Sequence, residues 1–239
     1  MSHGIYAALS GAIAQQSSLD SIAGNLANAN TTGYRAVRPV FHEVLRGKTK
    51  QGDAASFSAI NRTSIDTQLG ERQRTDRPLD VALPENAFLA VRTERGERYT
   101  RAGDLQVSPD GMLVTRQGHP LLDETLEVIE VGPDADVSIG RNGEVQVDGY
   151  PMGHLRLVEF EDASQLTYEG AVLLSASEGS GQPKPTKAEL AVGELETSNA
   201  SPVRAMTDLM QATRMFEAME TAISSFKDID ERLVNTVPK

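Results

Sequence analysis

Apolar residues recur at alternating steps of four and three along the first 26 residues, which is the spacing of a helix with one buried seam. The seam positions are Ile5, Leu9, Ala12, Gln16, Leu19, Ala23 and Leu26, and all of them except Gln16 are apolar. On the remaining surface, Asp20 is the only charged residue between His3 and Arg35. A neutral polar face can pack against neighbours without desolvating ions. The pattern therefore predicts either a helix lying on the protein's own core or a helix surrounded by other helices.

The C-terminal region repeats this pattern. Its seam positions are Leu209, Ala212, Phe216, Met219, Ile223, Phe226, Asp230 and Leu233. Pro202 suits the first turn of a helix, and Val237-Pro238-Lys239 ends the segment. Two seams at opposite ends of one chain indicate that the ends meet, either within one molecule or between copies.

Between the two ends the hydrophobic period changes to two. Residues 88–101 alternate around a Gly-containing turn, and residues 105–115 alternate around Pro-Asp-Gly. Asn142-Gly143 is a strong hairpin signal, and residues 154–160 alternate cleanly. These patterns predict a compact, mostly antiparallel β-domain.

The predicted fold class is α+β, with long, coiled-coil-like N- and C-terminal helices flanking a mostly antiparallel β-domain. Four segments follow from the patterns. They are an N-terminal helix and exit segment (1–46), a polar linker (47–76), the β-domain (77–192) and a C-terminal helix (193–239).

Composition and motif spacing argue against several classes of function. A net charge of −11 over 239 residues argues against a general nucleic-acid or anionic-membrane binder. The chain has no Cys, so it has no disulfide, thiolate nucleophile or Cys-ligated metal. No secretory signal or transmembrane-length apolar run is visible, which by general rules predicts a cytoplasmic protein. The four His are scattered, and Gly47-Lys48-Thr49 lacks the first Gly of a phosphate-binding loop. We predict no catalytic residue, no metal site and no cofactor.

Three stretches resemble the rod and hook family of axial proteins of the bacterial flagellum. They are residues 8–36, which end in "NTTGYRA", residues 77–122, which begin "RPLDVAL", and residues 195–225, which begin "LETSNASPVRAM". The resemblance implies a non-enzymatic subunit of the proximal rod, with the distal rod as the alternative. It also implies export by the flagellar type III apparatus without a cleaved signal, which replaces the cytoplasmic prediction. Such subunits assemble in the periplasm, with themselves and other rod subunits, into a tube of terminal helices that transmits torque. No nucleic-acid partner and no direct membrane insertion are implied.

The resemblance also gives a reason for the uncharged first helix. Identical charges repeated around a tube would repel, whereas amides and hydroxyls can pair in many registers. Gly33 would permit a left-handed turn where the chain leaves the tube. The predicted assembly interface comprises Ile5, Leu9, Leu19, Asn25, Leu26, Asn28, Asn30, Thr32, Gly33, Tyr34, Leu209, Phe216, Met219, Ile223 and Phe226. The simpler alternative is that the Asn, Thr and Gly residues only cap a helix.

Two other functions remain open from the residues alone. The chain could be a soluble enzyme or binding domain in which the helices act as a clasp, and a pocket with convergent polar groups would favour it. It could also be a secreted adhesin-like β-domain, although the uncharged helix would then have no role.

Overall fold

The computed structural model describes residues 2–45, 56–133, 135–170 and 172–236. Over these residues an α-helix lies at each end, and seventeen strands and two short 3-10 helices (Ala163–Gln165 and Glu178–Ser180) lie between them. In chain order the elements are α1 (Ser2–Ala27), β1 (Val37–Leu45), β2 (Ser56–Ile65), β3 (Arg72–Arg74), β4 (Val81–Ala82), β5 (Phe88–Thr93), β6 (Gly96–Thr100), β7 (Leu105–Val107), β8 (Leu113–Thr115), β9 (Val137–Ile139), β10 (Glu144–Val147), β11 (Tyr150–His154), β12 (Leu157–Glu159), β13 (Thr167–Tyr168), β14 (Leu174–Ser175), β15 (Lys184–Pro185), β16 (Ala191–Val192), β17 (Glu194–Glu196) and α2 (Pro202–Thr236).

The chain divides into two compact units. The helical unit comprises Met1–Leu26, Val37–Thr63 and Pro202–Lys239, and the β-unit comprises Ala27–Ala36 and Ser64–Ser201. The division places β1 and residues 56–63 of its partner strand β2 with the helices. Part of the predicted polar linker 47–76 therefore forms β2 and β3, and its residues 47–55 lie outside the described chain.

The predicted fold class is wrong in its helical part. The chain is not a pair of long coiled-coil helices interrupted by one β-domain, because a two-stranded sheet accompanies the helices. The N-terminal helix is short beside the C-terminal one, 26 against 35 residues. Of the predicted seam of α1, Ala12 is buried and Leu19 and Leu26 are half-buried, while Leu9, Gln16 and Ala23 are exposed in the single chain.

Small and polar residues form the contact between α1 and α2. The Gln15 side-chain amide donates to the Ala212 carbonyl oxygen at 3.1 Å, and the Met219 thioether lies against Gly11. Ser18 and Ile22 line a groove with α2 on the same face of α1. This face is one residue out of step with the predicted seam. Since Gly11 and Gln15 contact Met219 and Ala212 in reverse order, the helices run antiparallel.

The β-unit is built around a six-stranded antiparallel sheet with strand order β13-β14-β6-β5-β12-β15. A second sheet has the order β11-β10-β9, and β3, β4 and β7 pair with β17, β16 and β8. The three predicted turns are confirmed, and Gly96 (φ 97°) closes the one between β5 and β6. Gly111 (φ 76°) closes the turn between β7 and β8, and Gly143 (φ 81°) closes the turn between β9 and β10.

Strand β5 is buried on both faces and separates two apolar clusters. Leu89 and Val91 face the larger cluster, which also contains Leu105, Leu113 and Leu121. Phe88 and Ala90 face the other, where the rings of Phe88 and Tyr99 each meet Phe160 edge-on. Alternate residues of a strand point to opposite faces, so this run of apolar residues suits a central strand.

Candidate functional site

The chain turns sharply where it leaves α1. Within this turn, Thr31 donates from its backbone to the Asn28 carbonyl oxygen at 3.1 Å and from its hydroxyl to the Asn28 side chain at 3.2 Å. Gly33 follows with a left-handed backbone (φ 68°). The expected left-handed turn is thus present, and it directs the chain into the β-unit.

Only glycine fits at position 33. Its N–H donates to the Glu196 carbonyl oxygen at 2.8 Å. A Cβ there would overlap the carbonyl group of Arg101 and lie 2.5 Å from the backbone nitrogen of Ala102. The segment after α1 is therefore pressed against both β17 and the end of β6.

Arg101 and Glu196 form the centre of this contact. Each residue is 1% exposed, and Glu196 Oε2 accepts from both Nε and Nη2 of Arg101. The guanidinium also donates to four backbone carbonyl oxygens, those of Leu83, Pro84, Glu85 and Ala87. The five N–H donors of the guanidinium suit this arrangement, because one side chain provides hydrogen bonds to the carboxylate and to all four carbonyl oxygens.

Arg35 completes a buried group of three charges. Its Nη2 lies 2.9 Å from Glu196 Oε1, and its Nη1 donates to the Thr67 carbonyl oxygen. Its backbone N–H donates to the Tyr168 hydroxyl at 2.9 Å, and that hydroxyl donates to the Arg35 carbonyl oxygen at 3.1 Å. We call Gly33, Arg35, Arg101, Tyr168 and Glu196 the junction.

The electrostatics of the junction depend on its one carboxylate. Burial lowers the pKa of Arg101, and Glu196 opposes that shift. Arginine does not lose its proton in proteins, so the guanidinium needs this buried carboxylate as a counter-charge. Glu196 Oε1 also accepts from the Gly70 N–H at 3.1 Å. The one carboxylate therefore holds two guanidinium groups and a backbone amide in place.

Neighbouring residues extend the junction. Tyr34 stacks on Tyr168 with ring centroids 5.2 Å apart. Asn199 accepts from the Ala36 N–H at 2.6 Å, and it donates to the carbonyl oxygens of Asp66 and Gln68. The residues just after α1 and just before α2 are therefore bound to each other within the β-unit.

The predicted assembly residues do not lie on one surface. Gly33 and Tyr34 are buried in the β-unit, and Asn25 in the helical unit exchanges two hydrogen bonds with the backbone of Val37. Leu9 and Asn30 are exposed. The remaining described members, which are Leu19, Leu26, Asn28, Thr32, Leu209, Phe216, Met219 and Ile223, are half-buried. The side chains of Ile5 and Phe226 lie outside the described residues. A role of these residues between subunits stays a prediction.

Sequence reasoning did not single out Arg101, Tyr168 or Glu196. Arg101 and Glu196 do lie in the second and third stretches that carried the resemblance. Their pairing joins positions 95 residues apart. Local periodicity contains no signal for a contact of that separation.

Within the described ranges, no group of three or more His, Cys, Asp or Glu side chains could hold a metal ion. An open surface depression of about 640 Å³ is lined by Arg92, Arg98, His119 and Glu169 among others, and Arg98 is already paired with Glu169 at 3.0 Å. Neither helix, over the residues described, has the length and apolar character to cross a membrane.

Three regions of the chain match known protein families. Residues 5–35 match the flagella basal body rod protein family, residues 82–147 the flagellar hook protein FlgE/F/G D1 domain, and residues 191–236 the C-terminal region of the flagellar basal body rod FlgEFG protein. The junction draws Gly33 and Arg35 from the first region, Arg101 from the second and Glu196 from the third.

Individual relatives match over nearly their whole length. The chain is 36% identical over 247 residues to the flagellar basal-body rod protein FlgF of Escherichia coli (strain K12), covering 95% of each chain. It is 34% identical to FlgF of Salmonella typhimurium, covering 97% of each. It is 29% identical to the flagellar basal-body rod protein FlgG of Bacillus subtilis, covering 98% of this chain and 99% of the relative.

Proposed function

This chain belongs to the flagellar basal-body rod protein family, and we propose that it is a subunit of the proximal part of the rod. As a structural subunit of the basal body, it assembles with other axial subunits of the flagellum. The proposal adds that the terminal helices make the contacts between subunits, that the tube they form transmits torque, and that the protein catalyses no reaction. It also adds export through the flagellar type III apparatus without a cleaved signal.

The observation that carries the proposal is an apolar face on α2. Val203, Met206 and Met210 recur at steps of three and four, and all three are exposed in the single chain. We call these residues the methionine face. Apolar side chains grouped on one face of a helix favour a protein partner. Methionine is flexible and polarizable, so it can pack against several partner sequences. A subunit that contacts different rod proteins needs such an adaptable surface.

The neutral surface of α1 also supports assembly through the helices. Asp20 is its only charged residue, while Leu9 and Ile13 are exposed. Equivalent surfaces of many copies come close together in a tubular assembly, so repeated like charges would repel.

The junction supports a mechanical role. Ala27–Ala36 continues directly from α1, and residues 194–201 lead directly into α2. Both segments are fixed within the β-unit by the buried ion pairs of Glu196 and by Asn199. A force transmitted along the chain from either helix therefore acts on a segment that these ion pairs and hydrogen bonds hold in the β-unit.

The proximal position rests on the relatives. Identity reaches 36% and 34% with two FlgF proteins, while a third FlgF protein and a FlgG protein are each 29% identical. The position is tested in a strain from which the FlgG-type subunit has been deleted. A proximal subunit assembles before the distal rod, so its presence in basal bodies of that strain is the expected result. Its absence from basal bodies that still contain the other proximal rod subunits would overturn the proximal assignment.

Assembly through the methionine face is tested by Met210→Glu in the full chain, with Met152→Glu as the matched control. The two methionines are 60% and 59% exposed, and Met152 lies on β11 of the β-unit. We expect Met210→Glu to be exported and folded but absent from purified basal bodies, and the cells to be non-motile. Met152→Glu should assemble normally. Wild-type incorporation of Met210→Glu would overturn the proposed contact.

A further inference from the structure

Two buried carboxylates face each other in the β-unit, outside the junction. Asp80 and Asp104 are directly opposite in an isolated antiparallel bridge. The flanking hydrogen bonds run from Val81 N–H to the Gly103 carbonyl oxygen at 3.0 Å and from Leu105 N–H to the Leu79 carbonyl oxygen at 3.3 Å. This pattern defines a non-hydrogen-bonded pair, the arrangement in which opposite side chains come closest.

The two carboxylates lack the partners that buried charges normally have. Asp80 is 1% exposed and Asp104 is 7% exposed. In the part of the chain that the structure describes, both side-chain oxygens of Asp80 and Oδ1 of Asp104 have no hydrogen-bond partner. The nearest cations are Arg77, 3.6 Å from Asp80 Oδ1, and Arg116, 3.6 Å from Asp104 Oδ2, and both arginines are exposed. Two negative charges on opposite, buried positions of one bridge are costly when only exposed arginines at 3.6 Å offset them.

A proton relieves this arrangement better than a metal ion does. Calcium requires six to eight oxygen ligands, and magnesium retains several waters. This site offers two carboxylates beside two guanidinium groups, and no third His, Cys, Asp or Glu completes a metal cluster among the described residues. One added proton removes a charge, and the protonated carboxyl gains an O–H donor for an unpartnered oxygen of the opposite residue.

We propose that Asp80 and Asp104 form a proton-binding pair, in which one carboxyl stays protonated through mildly acidic pH and donates to the other, and that loss of this proton weakens the β-unit. Burial raises the pKa of Asp104 and is the largest effect; a hydrogen bond from its own backbone N–H, Arg116 and Arg77 lower that pKa, and Asp80 raises it. Folding then takes up a proton at this site.

Proton uptake fixes the sign of the pH dependence. A carboxyl whose pKa is raised by folding stabilises the protein fully below its unfolded value, which is about 3.9 for Asp. That contribution is lost as the pH rises through the folded value. Between these two pKa values, each unit rise in pH therefore lowers the equilibrium constant for folding by up to about tenfold. Carboxylates in ion pairs have the opposite dependence.

The first test is a carbon-13 NMR titration of the aspartate carboxyls in the full-length protein. We expect one carboxyl of the pair to titrate above the ordinary aspartate range. If both titrate at or below it, the pair is doubly ionised and the proposal fails. This measurement needs no substitution, so it decides the matter even when a variant does not fold.

The second test compares Asp104→Asn with Asp110→Asn, a change at an exposed aspartate. The amide introduced by Asp104→Asn is a permanent donor to Asp80 and mimics the protonated pair. Relative to the control, Asp104→Asn should be at least as resistant to denaturant as wild type at neutral pH, and it should lose the pH dependence assigned to the pair. A variant that is less stable by the same amount at every pH would overturn the proposal.

Discussion

Arg101 and Glu196 lie 95 positions apart in the chain and form an ion pair in which each residue is 1% exposed. The same carboxylate meets Arg35 through its other oxygen. A buried ion pair does not by itself show net stabilisation, but removing one partner leaves charge uncompensated in a low-dielectric interior. The junction is therefore a set of residues that must fold together.

Glu196→Gln should destabilise the β-unit by roughly 3–5 kcal/mol, because two buried guanidinium groups lose their only shared carboxylate. Glu194→Gln, on the same strand and half-buried, is the control and should change stability by about 0.5 kcal/mol or less. Denaturant unfolding followed by circular dichroism measures both. Equal midpoints for the two variants would show that the ion pairs add nothing.

Gly33→Ala should be far more damaging than Gly149→Ala. Both glycines have positive φ, 68° and 82°, so both substitutions carry the left-handed penalty of about 1–2 kcal/mol. Nothing lies within 4 Å of a Cβ at Gly149, whereas a Cβ at Gly33 overlaps the Arg101 carbonyl group. The left-handed penalty is common to both variants, so the difference between their losses of unfolding free energy measures the cost of the contact between a Cβ at position 33 and Arg101. If the two costs were equal, the chain could shift away from Arg101 without loss.

The hairpins could be predicted from the sequence because their signals are local. Asn142-Gly143 and Pro109-Asp110-Gly111 set the backbone within a few residues, and the strands around them pair as expected. The helical period of α1 was also readable. The face of α1 that contacts α2 could not be predicted in this way. Gly11 and Gln15 make that contact, and neither belongs to a pattern of apolar residues.

The junction could not be predicted, for a different physical reason. Its ion pairs close loops of 95 residues or more, and no local pattern tells a buried arginine from a surface one. Gly33 was identified from its turn, but its contact with Arg101 depends on the β-unit being folded. The family resemblance marked the three stretches that meet there without showing that they meet.

Asn25→Asp should weaken the link between α1 and the segment that follows it. Asn25 donates to the Val37 carbonyl oxygen at 2.9 Å and accepts from the Val37 N–H at 2.8 Å. An ionised Asp keeps the acceptor and sets a negative oxygen against the carbonyl, which costs about 1–3 kcal/mol. Faster hydrogen exchange of the Val37 amide measures the effect. Asn30→Asp, at an exposed position, is the control and should leave that exchange unchanged.

Acidification provides a second check on the Asn25→Asp variant. Once protonated, the introduced carboxyl can donate again, so protection of the Val37 amide should partly return as the pH falls below about 4. The wild-type protein has no such dependence at this residue, because an amide does not titrate. Unchanged protection of the Val37 amide in the variant across this range, after correction for the intrinsic pH dependence of exchange, would show that the donated bond is not the important one.

Two buried tyrosines should make the protein lose stability at alkaline pH. Burial raises the pKa of Tyr34 to about 12, and burial with a further contribution from Glu97 raises the pKa of Tyr99 to about 12. The unfolded chain ionises its tyrosines near pH 10, so unfolding releases protons between these values. The unfolding equilibrium constant should then rise by up to about tenfold per pH unit for each tyrosine as the pH increases from 10 towards 12. Ultraviolet absorbance of tyrosinate should show late ionisation, and Tyr99→Phe should remove part of both effects. If Tyr99→Phe left the alkaline slope unchanged, the Tyr99 hydroxyl would not be the group that titrates there.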